Sequence, residues 1–186
     1  PAGITAPPRQ QADYPLSFAQ QRLWFLEQLS ESHASYNIAA AFRLNGKLDC
    51  TVLEHTFRVL VKRHESLRTV FFATADGARQ RVLENVEWHL PVTDIAGDNT
   101  QLQRHIHEEA NFHFNLENGP LFRISLFRLG DTEHVLTVVL HHIISDAWSS
   151  RLLLAEVSHV YSQLLAGNAP ELPACPIQYI DYTLWH

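Results

Sequence analysis

The sequence predicts an α/β fold, an α+β two-layer sandwich with helices packed on a mixed central sheet. Three observations lead there. Residues 135–140 (VLTVVL) form a continuous apolar run of strand length, as a buried strand does. Val52, Leu53, Phe57, Leu60 and Val61 recur at three-to-four spacing, and so do Leu153, Val157, Val160, Tyr161 and Leu164, which gives two helices one buried face each. Gly-containing pairs, Asp76-Gly77 and Gly130-Asp131, sit between segments of strand character and close them into hairpins.

In chain order, residues 1–13 carry three prolines, one glycine and no apolar periodicity, so they read as an interdomain linker tethering the chain to something upstream. Residues 14–186 form the folded unit. Ser17 is a good N-cap for a helix over 18–29, whose Leu23 and Leu26 are expected to pack into the core. A strand over 37–44 ends at Asn45-Gly46, and Asp49 caps the next helix, which runs to Arg63. Strands over 67–72 and 79–83 pair across Asp76-Gly77. A polar helix follows over 100–110, carrying His105 and His107 on different faces as solvated side chains. Asn118-Gly119-Pro120 breaks the chain before a strand over 121–129, which pairs with the Val135 strand in the central sheet. After the last long helix, Gly167-Asn168 is a stop signal, the 170–176 stretch is stiffened by three prolines, and 177–185 starts another helix.

The 186 residues suit one domain with a sizeable core. A formal charge of -6 without any basic stripe argues against a nucleic-acid surface. No apolar run has membrane-spanning length and no signal peptide is visible, so the default expectation is a cytoplasmic location. Cys50 and Cys175 are too isolated for a disulfide framework or a zinc knuckle, and reduced thiols are expected.

Chemistry is expected where the Val135 strand stops. His141 and His142 follow it directly, then Asp146, then a Ser-rich turn into a helix. A positioned imidazole can take a proton from an amine or hydroxyl near neutral pH and return it later. Asp146, four residues after His142, could fix an imidazole tautomer or pair with a distant arginine, and the sequence leaves both open. Adjacent histidines in extended chain point to opposite sides, so they are poor joint metal ligands and no metal is expected. There is neither a Gly-x-Ser-x-Gly elbow nor a glycine-rich phosphate loop, so neither a covalent triad nor a bound cofactor is called for.

These same residues carry a resemblance. His141, His142, Asp146, Trp148 and Ser149 resemble the HHxxxDGWS motif of nonribosomal peptide synthetase condensation domains. Residues 17–29 (SFAQQRLWFLEQL), 63–71 (RHESLRTVF) and 179–185 (YIDYTLW) resemble that family's first, second and fourth motifs, in the right order, and Tyr36-Asn37 and residues 44–49 (LNGKLD) fit between the first two. The chain departs from the pattern at Ala147, where the family has glycine. Glycine would permit a positive φ or close approach of substrate, so Ala147 is either tolerated or the mark of an engineered or impaired site.

The resemblance implies the N-terminal lobe of a condensation domain, one of two chloramphenicol-acetyltransferase-like lobes, with the C-terminal lobe absent and the isolated lobe inactive. It implies amide formation between a donor acyl or peptidyl thioester and an acceptor aminoacyl thioester. Both would be borne on the 4'-phosphopantetheine of donor and acceptor peptidyl carrier proteins, beside an adenylation domain. His142 is then placed at the acceptor amine, His141 and Asp146 support it, and Ala147, Trp148 and Ser149 line the substrate tunnel. The family's structural salt bridge implies an arginine partner for Asp146, with Arg68 preferred over Arg63. Two other readings remain: a noncatalytic carrier-docking or scaffold lobe, and another acyltransferase of the same fold.

Overall fold

The computed structural model describes residues 6, 8, 9, 11–32 and 34–185, with the backbone alone for 147, 148 and 185. The main sheet has the strand order β2(Asn37–Asn45), β7(Glu133–His141), β6(Phe122–Gly130), β5(Val92–Asp94). Strand β7 is antiparallel to both of its neighbours, β2 and β6, and β5 runs parallel to β6, so the sheet is mixed. A smaller sheet pairs β3(Thr69–Thr74) with β4(Gly77–Val82) as the expected hairpin, and adds β1(Tyr14–Pro15) at its edge. The short β1 and β5 carry no periodic signal, and the sequence did not indicate them.

The helices are α1(Phe18–Leu29), α2(Cys50–Arg63), α3(Asn99–Ala110), α4(Ala147–Leu165) and α5(Tyr179–Trp185). The expected faces of α2 and α4 meet: Leu53, Phe57, Leu60 and Val61 pack with Leu153, Val157 and Val160 over the sheet. Asp49 caps α2 through the Val52 N–H at 3.0 Å, and its own N–H donates to the Tyr161 hydroxyl of α4 at 3.1 Å. The strand expected from residue 67 starts two residues later, because Glu65–Arg68 form a 3-10 turn.

Strand β7 explains its own composition. Leu136, Val138 and Leu140 face α2 and α4, whereas Val135 packs with Leu102 of α3 and Val139 with Phe71 and Phe114 on the opposite side. A strand covered on both faces reads as an unbroken apolar run. By the same alternation His141 shares the Val139 side and turns away from the α2–α4 layer.

Helix α1 departs from expectation. Its fully buried residues are Gln20 and Glu27, while Leu23 and Leu26 are half-buried and Phe25 and Leu29 lie mostly in solvent. Apolar residues surround this helix, so their spacing does not select one face. Ser17 does cap it, in a reciprocal capping box with Gln20. The described part of the expected linker is tied down: Arg9 bonds Asp181 and Glu65, and Asp13 receives the Arg81 guanidinium at 2.6 Å.

Candidate active site

The end of β7 separates the two histidines. His141 is completely buried, with the edge of Phe114 against it, and His142 is exposed. The Ile143 N–H donates to His141 Nδ1 at 3.0 Å, which puts the proton of the neutral ring on Nε2, 3.3 Å from Glu27 Oε2. Burial, with a smaller contribution from His142, pushes the His141 pKa from 6.5 down to about 4. At neutral pH the contact with Glu27 is therefore a hydrogen bond from a neutral imidazole and not an ion pair.

His142 sits in a tight turn. Its N–H donates to the Tyr36 carbonyl at 2.8 Å and its carbonyl accepts from the Ser145 N–H at 3.4 Å. The turn leads into α4, whose N-cap is Asp146, with the Ser149 N–H donating to its carboxylate at 2.7 Å. Residue 147 is the first residue of α4, so its backbone is right-handed helical and a positive φ is not required there. The side chains of Ala147 and Trp148, expected to line a tunnel, lie outside the described residues. Ser149 is described and does line the cavity.

That cavity, about 260 Å³, opens beside His142. It is walled by Gln20 and Leu23 of α1, Ser66 and Thr69 from the 3-10 turn and β3, Ser149 of α4, and Tyr179 of α5. Stretches far apart in sequence, 17–29, 63–71, 141–149 and 179–185, thus converge on one hollow. Gln80 on β4 also lines it, and was not singled out from sequence. Its amide donates to the Pro15 carbonyl at 2.8 Å and to Gln20 Oε1 at 3.1 Å, bracing the start of α1.

The two arginines proposed as partners of Asp146 make other contacts. Arg63 donates to Glu156 Oε1 at 3.3 Å and to the Pro173 carbonyl at 2.6 Å. Arg68 spends its guanidinium on main-chain carbonyls, those of Val61 at 3.0 Å, Lys62 at 3.2 Å, Glu84 at 3.5 Å, and Leu83. Five fixed donors suit a cluster of carbonyls that the α2 C-terminus and the segment just after β4 leave open, and this satisfies polar groups that would otherwise be stranded. The buried acceptor for Arg63 was invisible in the sequence because Glu156 sits in the middle of a helical pattern. Among the described residues, no three His, Cys, Asp or Glu side chains gather as a metal site.

The family model for the condensation domain matches residues 10–186. The chain belongs to the condensation domain family. Its sequence is 45% identical over 182 residues to a linear gramicidin synthase polypeptide of Brevibacillus parabrevis, covering 95% of this chain and 4% of that protein. It is 46% identical over 177 residues to an isonitrile lipopeptide synthase of Mycobacterium tuberculosis, covering 94% of the chain and 7% of the relative. The fold superposes on the starter condensation domain of rhizomide synthetase RzmA with a TM-score of 0.85 at 27% identity, covering 94% of this chain and 43% of that one. It superposes on the X-domain from teicoplanin biosynthesis with a TM-score of 0.90 at 30% identity, covering 99% and 40%. This condensation-domain chain thus has the chloramphenicol-acetyltransferase-like fold that the resemblance implied. It spans only a small part of its curated relatives and about two fifths of these structural neighbours. No described helix is long and apolar enough to cross a membrane.

Proposed function

We propose that this chain is the N-terminal lobe of a condensation domain that joins a donor acyl or peptidyl thioester to an acceptor aminoacyl thioester, and that His142 serves the acceptor amine. The observation that carries the reading is the exposed His142 at a cavity walled by all four motif segments. The amine nitrogen attacks the thioester carbonyl, the carbon–sulfur bond breaks, and the proton lost by nitrogen ends on the departing sulfur. His142 accepts that proton, or orients the amine and passes the proton on. A thioester is already activated, so holding the amine in place contributes roughly 7 to 11 kcal/mol and the demand on the base is modest. His141, buried behind, and Asp146, capping α4, fix the turn that carries His142. The partners are donor and acceptor carrier proteins, which bring both thioesters on 4'-phosphopantetheine, the second lobe that completes the channel, and an adjacent adenylation domain. On this reading the single lobe is inactive.

The test is His142→Ala in the complete condensation domain with loaded carriers. Loss of amide product with carrier binding intact is expected; near wild-type product would refute the role of His142. A second reading, a noncatalytic docking lobe, draws support from the likeness to the X-domain from teicoplanin biosynthesis, whose structure has been solved in a complex with OxyB. An acyltransferase acting on hydroxyls is separated by offering free alcohols to the loaded donor.

A further inference from the structure

We infer that Glu27 is a positioning residue for His142, acting through His141; the inference rests on the reading of His142 as the group beside the amine. Glu27 is 5% exposed, although Phe25 and Leu29 on the same helix are 58% and 65% exposed. A helix oriented by hydrophobic burial alone would not put its carboxylate inward and leave these side chains in water. The inward turn of α1 brings Glu27 Oε2 to within 3.3 Å of His141 Nε2, which is buried on β7 in the interior of the chain.

His141 is gripped at both nitrogens. Its Nδ1 accepts from the Ile143 N–H at 3.0 Å, and this bond fixes the residue immediately after His142. With Ile143 N–H directed back to the ring, the turn is held from both sides of His142, and the Tyr36 carbonyl holds His142's own N–H. Glu27 acts with the Ile143 N–H to select the Nε2–H tautomer, since a carboxylate facing Nε2 favours the proton there and leaves Nδ1 free to accept. Were the ring to change tautomer, Nδ1 would carry a proton toward the Ile143 N–H, two donors would face each other, and the turn would have to shift; a flipped ring would offer that N–H only the Cδ2–H edge. Glu27 itself does not line the cavity, so its effect reaches substrate only through His141 and the turn.

The experiment compares Glu27→Gln, which keeps an acceptor oxygen, with Glu27→Ala, in the complete condensation domain; Glu27→Met replaces the alanine variant if that does not fold. The alanine or methionine variant is expected to lose kcat on the order of 10- to 100-fold with KM for the loaded acceptor carrier unchanged, while glutamine stays within about threefold of wild type. Independently of activity, long-range 15N–1H spectra of histidine-labelled protein, with His141 assigned from a His141→Gln variant, should show the Nε2–H tautomer in wild type and Glu27→Gln and its loss in the alanine or methionine variant. A folded alanine or methionine variant with wild-type kcat, or with the His141 tautomer unchanged, overturns the inference. Failure of the parent reading is separate: it shows as full activity in His142→Ala, and the tautomer comparison stands apart from it.

Discussion

Nε2 of His141 lies 3.3 Å from Oε2 of Glu27, 114 positions away in sequence, and both residues are out of solvent. The pair links the end of the central strand to a helix that the sequence pattern leaves without a defined inner face, and its neutral imidazole sets how the fold responds to acid.

Stability should fall between pH 7.5 and 5. The unfolded chain protonates His141 near 6.5, whereas the folded chain resists until about 4. The contribution is therefore fully present above 6.5 and is lost as pH falls toward 4. At pH 5 the loss is about 2 kcal/mol. Burial, with help from Arg128, depresses His134 in the same direction. Asp13, held low by its bond to Arg81, and Glu54, held low by the Leu90 N–H, lose their contributions only at lower pH. Urea midpoints at the two pH values measure this, and His141→Gln should flatten the dependence. A midpoint that does not move with pH in the wild type would contradict the placement of His141.

Arg63 should couple to Glu156 and not to Asp146. Glu156 is 8% exposed and takes Arg63 at 3.3 Å and His64 at 2.5 Å. Removing one partner from a buried charge pair is costly, so Arg63→Met with Glu156→Gln in a double-mutant cycle should give a coupling above about 1 kcal/mol. The corresponding cycle with Asp146→Asn should give a coupling near zero, since asparagine still caps α4. Chemical denaturation supplies all the values.

Ala147→Gly should leave condensation unchanged. Residue 147 opens α4 with helical backbone, a conformation that alanine prefers and glycine resists. We expect the glycine variant of the complete domain to lose up to about 1 kcal/mol of stability and to keep its rate within about twofold. A large gain in product formation would show instead that the methyl group obstructs substrate.

Gly119→Ala should destabilise the fold. Gly119 has φ +58, and a Cβ there would meet Val70 Cγ1 at 2.9 Å. The left-handed backbone alone costs an alanine about 1 to 2 kcal/mol, and the contact with β3 adds to it. Val70→Ala should recover the contact part only, which thermal unfolding of the single and double variants would resolve.

Much of this architecture is legible from local patterns. The hairpin of β6 and β7, the cap and inner face of α2, and the N-terminus of α1 each follow from residues within one turn or one strand of each other. The candidate site is legible in part: His142 is marked by its place where the apolar strand stops, the four motif segments by their resemblance to the family's motifs, and the cavity joins them. Glu27 and Gln80 carry no such mark, because a glutamate on a helix with no defined inner face and a glutamine on a short strand are ordinary surface residues until their partners are known. The acceptors of Arg63 and Arg68 were hidden for a related reason, since they are a mid-helix glutamate and a set of main-chain carbonyls.

The sequence by itself determined the longer elements and the chemistry available at the end of the central strand, because hydrogen bonding and apolar periodicity act over a few residues. The tertiary structure alone decided which histidine is buried, which carboxylate lies behind it and where the arginines spend their donors. Those outcomes depend on which side of a strand faces a hydrophobic layer and on which distant groups can neutralise a buried dipole or charge, and no local pattern encodes either.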